Sequence, residues 1–216
     1  MFKIYENYSK INGKVEVTKD PFFGASIKCD GLTQSGDLIE KIWQKPLKKL
    51  SSPKGQASLI SNYQYSNVLI LGLGGGSTAK LIRKYWPEAK ITGVDLDPIM
   101  IDLGKKYLKL DDYKVDIKIA DAYEFVTNHQ SLTTNNYDLI LIDLYQGREV
   151  PQQFDTEEFA KMIKKILSPE GTAVFNRLYA AGTRPKAVKF MHKLEKVFSE
   201  VDPIYPMANV MFITKK

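Results

Sequence analysis

The sequence predicts an α/β protein: a mostly parallel sheet with an antiparallel last strand, preceded by a small antiparallel β appendage. Three observations carry this. From Asn67 onward, apolar strand-like runs alternate with helical stretches, the order that builds a parallel sheet with crossover helices on both faces. A glycine-rich turn, Gly72-Leu73-Gly74-Gly75-Gly76, joins the run Val68-Leu69-Ile70-Leu71 to a helix beginning near Ser77. Residues 200–205 and 209–214 read as strands separated only by Pro206-Met207-Ala208, a hairpin-length connection that makes the pair antiparallel.

The elements follow in order. Lys3 to Tyr8, Val15 to Thr18 and Ala25 to Cys29 are short β segments divided by Asn12-Gly13, Asp20-Pro21 and Asp30-Gly31, so residues 1–36 form the appendage. Residues 37–66 are a helical linker: Leu38, Ile42, Leu47 and Leu50 give 37–50 an apolar face, Ser51-Ser52-Pro53 ends it, and a shorter helix leads to Tyr65. Residues 67–216 form the main domain, with strands near 67–72, 90–95, 115–120, 137–143 and 171–178 before the closing pair. Helices are expected near 77–86, 98–110, 121–129, 156–167 and 184–198, the fourth capped by Asp155 or Thr156 and terminated by Ser168-Pro169-Glu170-Gly171.

A chain of 216 residues with 44% hydrophobic and 26% charged residues can bury one good core. Its longest apolar runs fall far short of the roughly 20 residues a membrane-spanning helix needs. Glu6 and its polar neighbours stand where a secretory signal would be apolar, so a cytoplasmic location is expected. Cys29 is the only cysteine, read as a small buried hydrophobe, and His129 and His192 lie in separate helices, so no metal centre is expected. A net charge of +6 spread over many helix faces favours an anionic partner only weakly and leaves nucleic acid open.

The glycine turn and Asp95, nineteen residues after Gly76, point to a nucleotide: glycines let the backbone approach a ligand, and a carboxylate ending the next strand accepts from ribose hydroxyls. A P-loop is excluded because Gly76-Ser77-Thr78-Ala79-Lys80 has the wrong order. A nicotinamide-binding fingerprint fits only in a shifted register, since starting from Gly72, directly after the strand, puts Ser77 at the third glycine position. Asp95 and Asp97, Asp121 and Asp143 follow successive strands, and in an open α/β sheet ligands bind beyond those carboxyl ends.

Val68 to Pro98, Ile119-Ala120-Asp121-Ala122-Tyr123-Glu124-Phe125 and Tyr137 to Asp143 resemble the spermidine-synthase-like branch of the class I S-adenosylmethionine-dependent transferases. The resemblance continues through Val150-Pro151, Thr156 to Phe159 and Leu167 to Gly171, and reaches back to Asp30 to Gly36, Glu40 and Trp43. It implies a Rossmann-like class I methyltransferase sheet whose cofactor is S-adenosylmethionine or its decarboxylated form. By the same resemblance Gly72, Gly74 and Gly76 pass the methionyl part, Gln34 touches its end, Asp95 holds the ribose diol, and Asp121 accepts from the adenine amine beside Ala122. The family also implies a homodimer through or near the appendage.

Asp143 then faces the transfer site, taking a proton from an attacking amine or orienting it, with a loop cap as its bland alternative. Tyr145 and Trp43 are candidate walls of the acceptor pocket, each with a place in the core as the alternative. Two departures stand out: aminopropyltransferases have an aspartate where this chain has Gly75, and a second acid where it has Gln146. Neutral groups there cannot offset two ammonium charges, which favours methyl transfer from intact S-adenosylmethionine to a small acceptor such as an amine, with aminopropyl transfer as the alternative. A non-catalytic interaction module that keeps the cofactor fold is the second alternative.

Overall fold

A computed structural model describes residues 1–52, 65–129 and 136–216, and within them two separate sheets. The first is antiparallel, in the order β1 (Phe2–Ser9), β2 (Gly13–Asp20), β3 (Gly24–Cys29) and β4 (Leu32–Ser35). The Asp30-Gly31 turn joins β3 to β4 with φ of 45° and 78°, the positive pair that a tight hairpin turn demands. β4 was not expected from the sequence. Its four residues show too little alternation to signal a strand, and pairing of Cys29 with Leu32 and Ile27 with Ser35 imposes the extended form.

Alternation in β2 and β3 places Val15, Val17, Ile27 and Cys29 on one buried face, which packs on Met100 and Leu103. Burial pushes the Cys29 thiol up to about 12, so it is packing material rather than a reactive thiol. The helix that follows, α1 (Asp37–Ser51), buries Ile42, Trp43, Leu47 and Leu50. Leu38, expected on that face, is exposed, and Trp43 takes its place, since positions 43, 47 and 50 repeat at i, i+4 and i+7. The shorter helix expected before Tyr65 falls outside the described residues.

The second sheet begins with β5 (Asn67–Leu71), α2 (Ser77–Tyr85), β6 (Lys90–Asp95), α3 (Pro98–Leu108), β7 (Val115–Ile119) and α4 (Ala122–His129). It continues with β8 (Tyr137–Ile142), α5 (Glu157–Ile166), β9 (Leu167–Leu178), α6 (Arg184–Glu195), β10 (Glu200–Ile204) and β11 (Asn209–Lys215). The strand order is β10-β11-β9-β8-β5-β6-β7, and β11 runs antiparallel to both of its neighbours. The closing hairpin therefore inserts its second strand between β9 and β10, so that β11 fills an interior position.

β5 is an interior strand, with Leu69 and Leu71 in the core under α4, α5 and α6, and Val68 and Ile70 in the core under α1 and α2. Each such side chain contributes about 1.5–3 kcal/mol by leaving water. Thr156 caps α5, its hydroxyl accepting from Phe159 N at 3.1 Å. Ser168 to Gly171, expected as a loop ending that helix, instead belongs to β9, where the register against β8 shifts between Tyr137↔Leu167 and Leu139↔Thr172. The strand pairs across this irregularity, absorbing the turn-forming residues as a bulge.

Candidate active site

The turn after β5 is shaped by what it touches. Gly72 donates to Val94 O at 2.9 Å with φ 86°, and a Cβ there would lie 2.2 Å from the carbonyl oxygen of Asp143. Only glycine fits. Gly74 N donates to Asp95 Oδ2 at 2.6 Å, and Asp95 Oδ1 accepts from Asp97 N at 2.9 Å, so one carboxylate pins the turn to the start of α3. Burial raises the Asp95 carboxyl above the ordinary range, while the Asp97 and Gly74 amides pull it back.

Asp97 does more than begin a helix. It caps α3 by accepting from Ile99 N at 2.9 Å, and its other oxygen accepts from Ser9 Oγ at 2.5 Å and Asn12 Nδ2 at 2.7 Å. Those two bonds draw the β1–β2 hairpin over the strand ends, so that Ile11 and Asn12 roof a cavity of about 210 Å³. No local signal in Ser9 or Asn12 marks them for this; Asn12 beside Gly13 reads only as a turn.

Gln34, Gly72, Gly74, Asp95, Asp121, Ala122, Asp143 and Tyr145 all line that one cavity. Asp121 caps α4, its Oδ1 accepting from Tyr123 N at 2.8 Å and Glu124 N at 3.1 Å. Two expected site residues, Gly76 and Trp43, are not among those lining the cavity. Gly76 is the N-cap of α2 with φ 90°, and its Cβ position faces Leu110 on the far side of the turn. Trp43 is fully buried and does not wall the cavity; it lies behind it, because α1 packs its inner face onto the sheet.

Gly75 is equally enclosed. A Cβ there would sit 2.7 Å from Ile27 Cδ1 and Leu108 Cδ1, and one on Gly104 would come within 2.8 Å of Gly75 Cα. The appendage and α3 close on the turn at this point, and Gly75 N donates to Ser35 Oγ at 2.7 Å. A larger side chain there would have to displace the ends of Ile27 and Leu108.

Asp143 follows β8, part-buried, with both oxygens held: Trp43 Nε1 donates to Oδ2 at 2.8 Å and Asn176 Nδ2 to Oδ1 at 2.8 Å. Asn209 Nδ2 donates to Asn176 Oδ1 at 2.9 Å, which fixes the orientation of that amide. Burial raises the Asp143 carboxyl, and the Trp43 and Asn176 donors and nearby Arg177 oppose the rise. Burial also raises the Tyr145 hydroxyl, which approaches Asn176 O at 3.5 Å. The sequence reading named neither Asn176 as a partner of Asp143 nor Asn209 as its anchor, since both emerge from pairing of β9 with β11.

Among the described residues no group of three or more His, Cys, Asp or Glu could hold a metal, and no helix is long and apolar enough to cross a membrane. The chain is similar to a polyamine aminopropyltransferase of Clostridium botulinum (strain Eklund 17B / Type B), 26% identical over 97% of this chain and 74% of that protein. Its fold matches spermidine synthase from Thermotoga maritima with a TM-score of 0.76 at 21% identity, covering 99% of this chain and 72% of that one. It also matches human methyltransferase-like protein 13, solved in complex with SAH, with a TM-score of 0.62 at 19% identity, over 82% and 78% of the two chains. The family model for the spermine/spermidine synthase domain matches residues 55–211, and the chain belongs to that family.

Proposed function

We propose that this chain is a transferase that moves an aminopropyl group from decarboxylated S-adenosylmethionine to an amine. The observation that carries the reading is Asp143, fixed at the end of β8 by Trp43 and Asn176 and facing the same cavity as Asp95 and Asp121. Family membership and the similarity to polyamine aminopropyltransferases select aminopropyl over the methyl transfer that Gly75 and Gln146 favoured in the sequence. The division into an appendage of residues 1–36, a linker of 37–66 and a cofactor-binding domain of 67–216 belongs to this proposal.

The residues present fit an adenosyl group. Gly72 and Gly74 offer bare backbone on one wall. Asp95 accepts backbone amides on both oxygens and keeps lone pairs for ribose hydroxyls, and Asp121 Oδ2 is left for an adenine amine. When bound, the sulfonium cofactor supplies an electrophilic carbon and a neutral thioether leaving group. Asp143 receives the amine proton at a carboxylate oxygen or holds the nitrogen in line, and the Ile11 and Asn12 roof limits water.

Titration calorimetry with the decarboxylated and intact cofactors in parallel tests the reading. Tighter binding of the decarboxylated form, with amine-dependent release of thioether, is expected. A specific observation keeps methyl transfer as the second reading: Gly75 is enclosed and Gln146 is neutral, so among the described residues no acid beyond Asp95, Asp121 and Asp143 lines the cavity to meet the bare ammonium of the decarboxylated form. Preference for the intact cofactor would establish methyl transfer in its place.

A further inference from the structure

The closing hairpin brings a distant strand to the back of the site. Because β11 runs antiparallel to β9, its first residue, Asn209, stands at the edge of the sheet where β9 ends. Asn176 lies opposite Met211 in that register, so Asn176 and Asn209 are diagonal neighbours on one face, within reach of each other's side chains. Val174, Met211 and Ile213 continue that face into the core that holds Trp43. Both asparagines are buried, and neither lines the cavity.

A buried asparagine can seat its amide in two orientations, and its neighbours decide which one is paired. The Asp143 carboxylate only accepts, so Asn176 has to offer it Nδ2, as the 2.8 Å bond does. That leaves Asn176 Oδ1 on the far side, where Asn209 Nδ2 donates to it at 2.9 Å. Among the described residues Asn209 is the one donor to that oxygen. With the amide reversed, Oδ1 would meet the carboxylate and Nδ2 would meet the Asn209 nitrogen, two repulsive contacts in place of two bonds. Asn209 carries no charge and makes no hydrogen bond to Asp143 among the described residues, so its hold on that group runs through the Asn176 amide. The charged and titratable groups facing Asp143 are Arg177 of β9 and Tyr145 after β8, with Asp95 and Asp121 across the cavity. From α1 it meets the neutral Trp43 indole, and from the turn after β5 it meets backbone.

We infer that Asn209 is a positioning residue for Asp143: its amide locks Asn176 with the nitrogen toward the carboxylate, which keeps that carboxylate ionised and aimed into the cavity. The consequence for turnover rests on the reading of Asp143 as the group that receives the amine proton. Taking away the Asn209 donor frees the Asn176 amide to turn, and a turned amide opposes ionisation of Asp143 with an acceptor where it had favoured it with a donor. The carboxyl then keeps its proton to higher pH, and the acid limb of kcat/KM follows it upward.

The test uses two variants and their combination. Asn209→Leu keeps the volume and removes the donor, and Asn176→Leu removes the amide itself. The Asp143 carboxyl is titrated by carbon-13 NMR in the full chain, and kcat/KM is followed against pH with decarboxylated S-adenosylmethionine and 1,4-diaminobutane. Both readouts are expected to rise by about one pH unit in Asn176→Leu, the worth of one hydrogen bond to a charged group, and by about half a unit or more in Asn209→Leu. With Asn176 already replaced, Asn209→Leu should add nothing, because a residue that acts through one partner is silent without it. A carboxyl that stays still in Asn209→Leu, or moves as far without Asn176, overturns the inference. Should Asn209→Leu not fold, the wild-type chain decides: the side-chain amide protons of Asn176 and Asn209 are both expected to follow the Asp143 titration, and an Asn209 amide that does not follow overturns the inference. A carboxyl that moves without the limb supports the positioning and takes the role of base from Asp143. Absence of turnover with either sulfonium donor removes the transfer reading, while the carboxyl titration still decides this one.

Discussion

Trp43 Nε1 donates to Asp143 Oδ2 at 2.8 Å, joining the helix after the appendage to the end of β8. The bond lets a fully buried indole hold that carboxylate from behind the cavity. Trp43→Phe keeps the ring but removes the donor, and hydrogen bonds to charged groups are worth about 1.5–3 kcal/mol. Because that donor holds the Asp143 carboxyl down, its loss is expected to move the acid limb of kcat/KM to higher pH. A merely structural role would lower activity without shifting the limb, and the pH profile separates the two.

As the proposed base, Asp143 sets the expected direction of the wild-type profile. Its carboxyl is raised by burial, and a base must be ionised, so activity is present above the folded-state value and is lost as pH falls through it. The acid limb is expected above the ordinary aspartate value of about 3.9. Asp143→Asn is expected to lower kcat by about 10²–10⁴-fold and abolish that limb while retaining cofactor binding. Retention of an unchanged limb in the variant would assign it to another group.

Gly72→Ala tests the close approach of the turn to β8. The new Cβ would stand 2.2 Å from Asp143 O at a residue with φ 86°, and backbone rather than a flexible side chain must move. A loss of about 3 kcal/mol or more is expected in urea unfolding, together with loss of cofactor binding. Gly147→Ala is the control, since that glycine also has positive φ, at 61°, but nothing within 4 Å of its Cβ position. It carries the backbone strain alone, and a smaller loss is expected.

Asp97→Ala removes a helix cap and both side-chain ties to the hairpin. A cap is worth about 0.5–2 kcal/mol and each of the two orphaned partners about 1–3, so a loss of about 2.5 kcal/mol or more is expected. Amide exchange should rise selectively around residues 9–13, and cofactor affinity should fall as the roof loosens. Unchanged exchange in the hairpin would show that its packing on α3 alone positions it.

Much of this arrangement is local and is legible in the chain. The run Val68 to Leu71, the glycines and the helix from Ser77 follow from apolar periodicity and turn chemistry, and alternation of strand and helix sends Asp95, Asp121 and Asp143 to one edge of the sheet. The sequence could also foresee that β10 and β11 are antiparallel, because a short connection leaves no alternative.

Tertiary packing decided the rest. Which glycine faces the cavity depends on how the turn is clamped: Gly72 and Gly74 line it while Gly76 faces Leu110. Trp43 reads as a wall or a core aromatic until α1 is laid on the sheet, where it becomes the donor that holds Asp143. Ser9, Asn12, Asn176 and Asn209 acquire their roles only through partners far away in the chain. Periodicity and connection length are properties of neighbouring residues, so the chain alone fixes them. A buried hydrogen bond between distant strands exists only once burial has removed water as the competing partner, and that is a property of the folded whole.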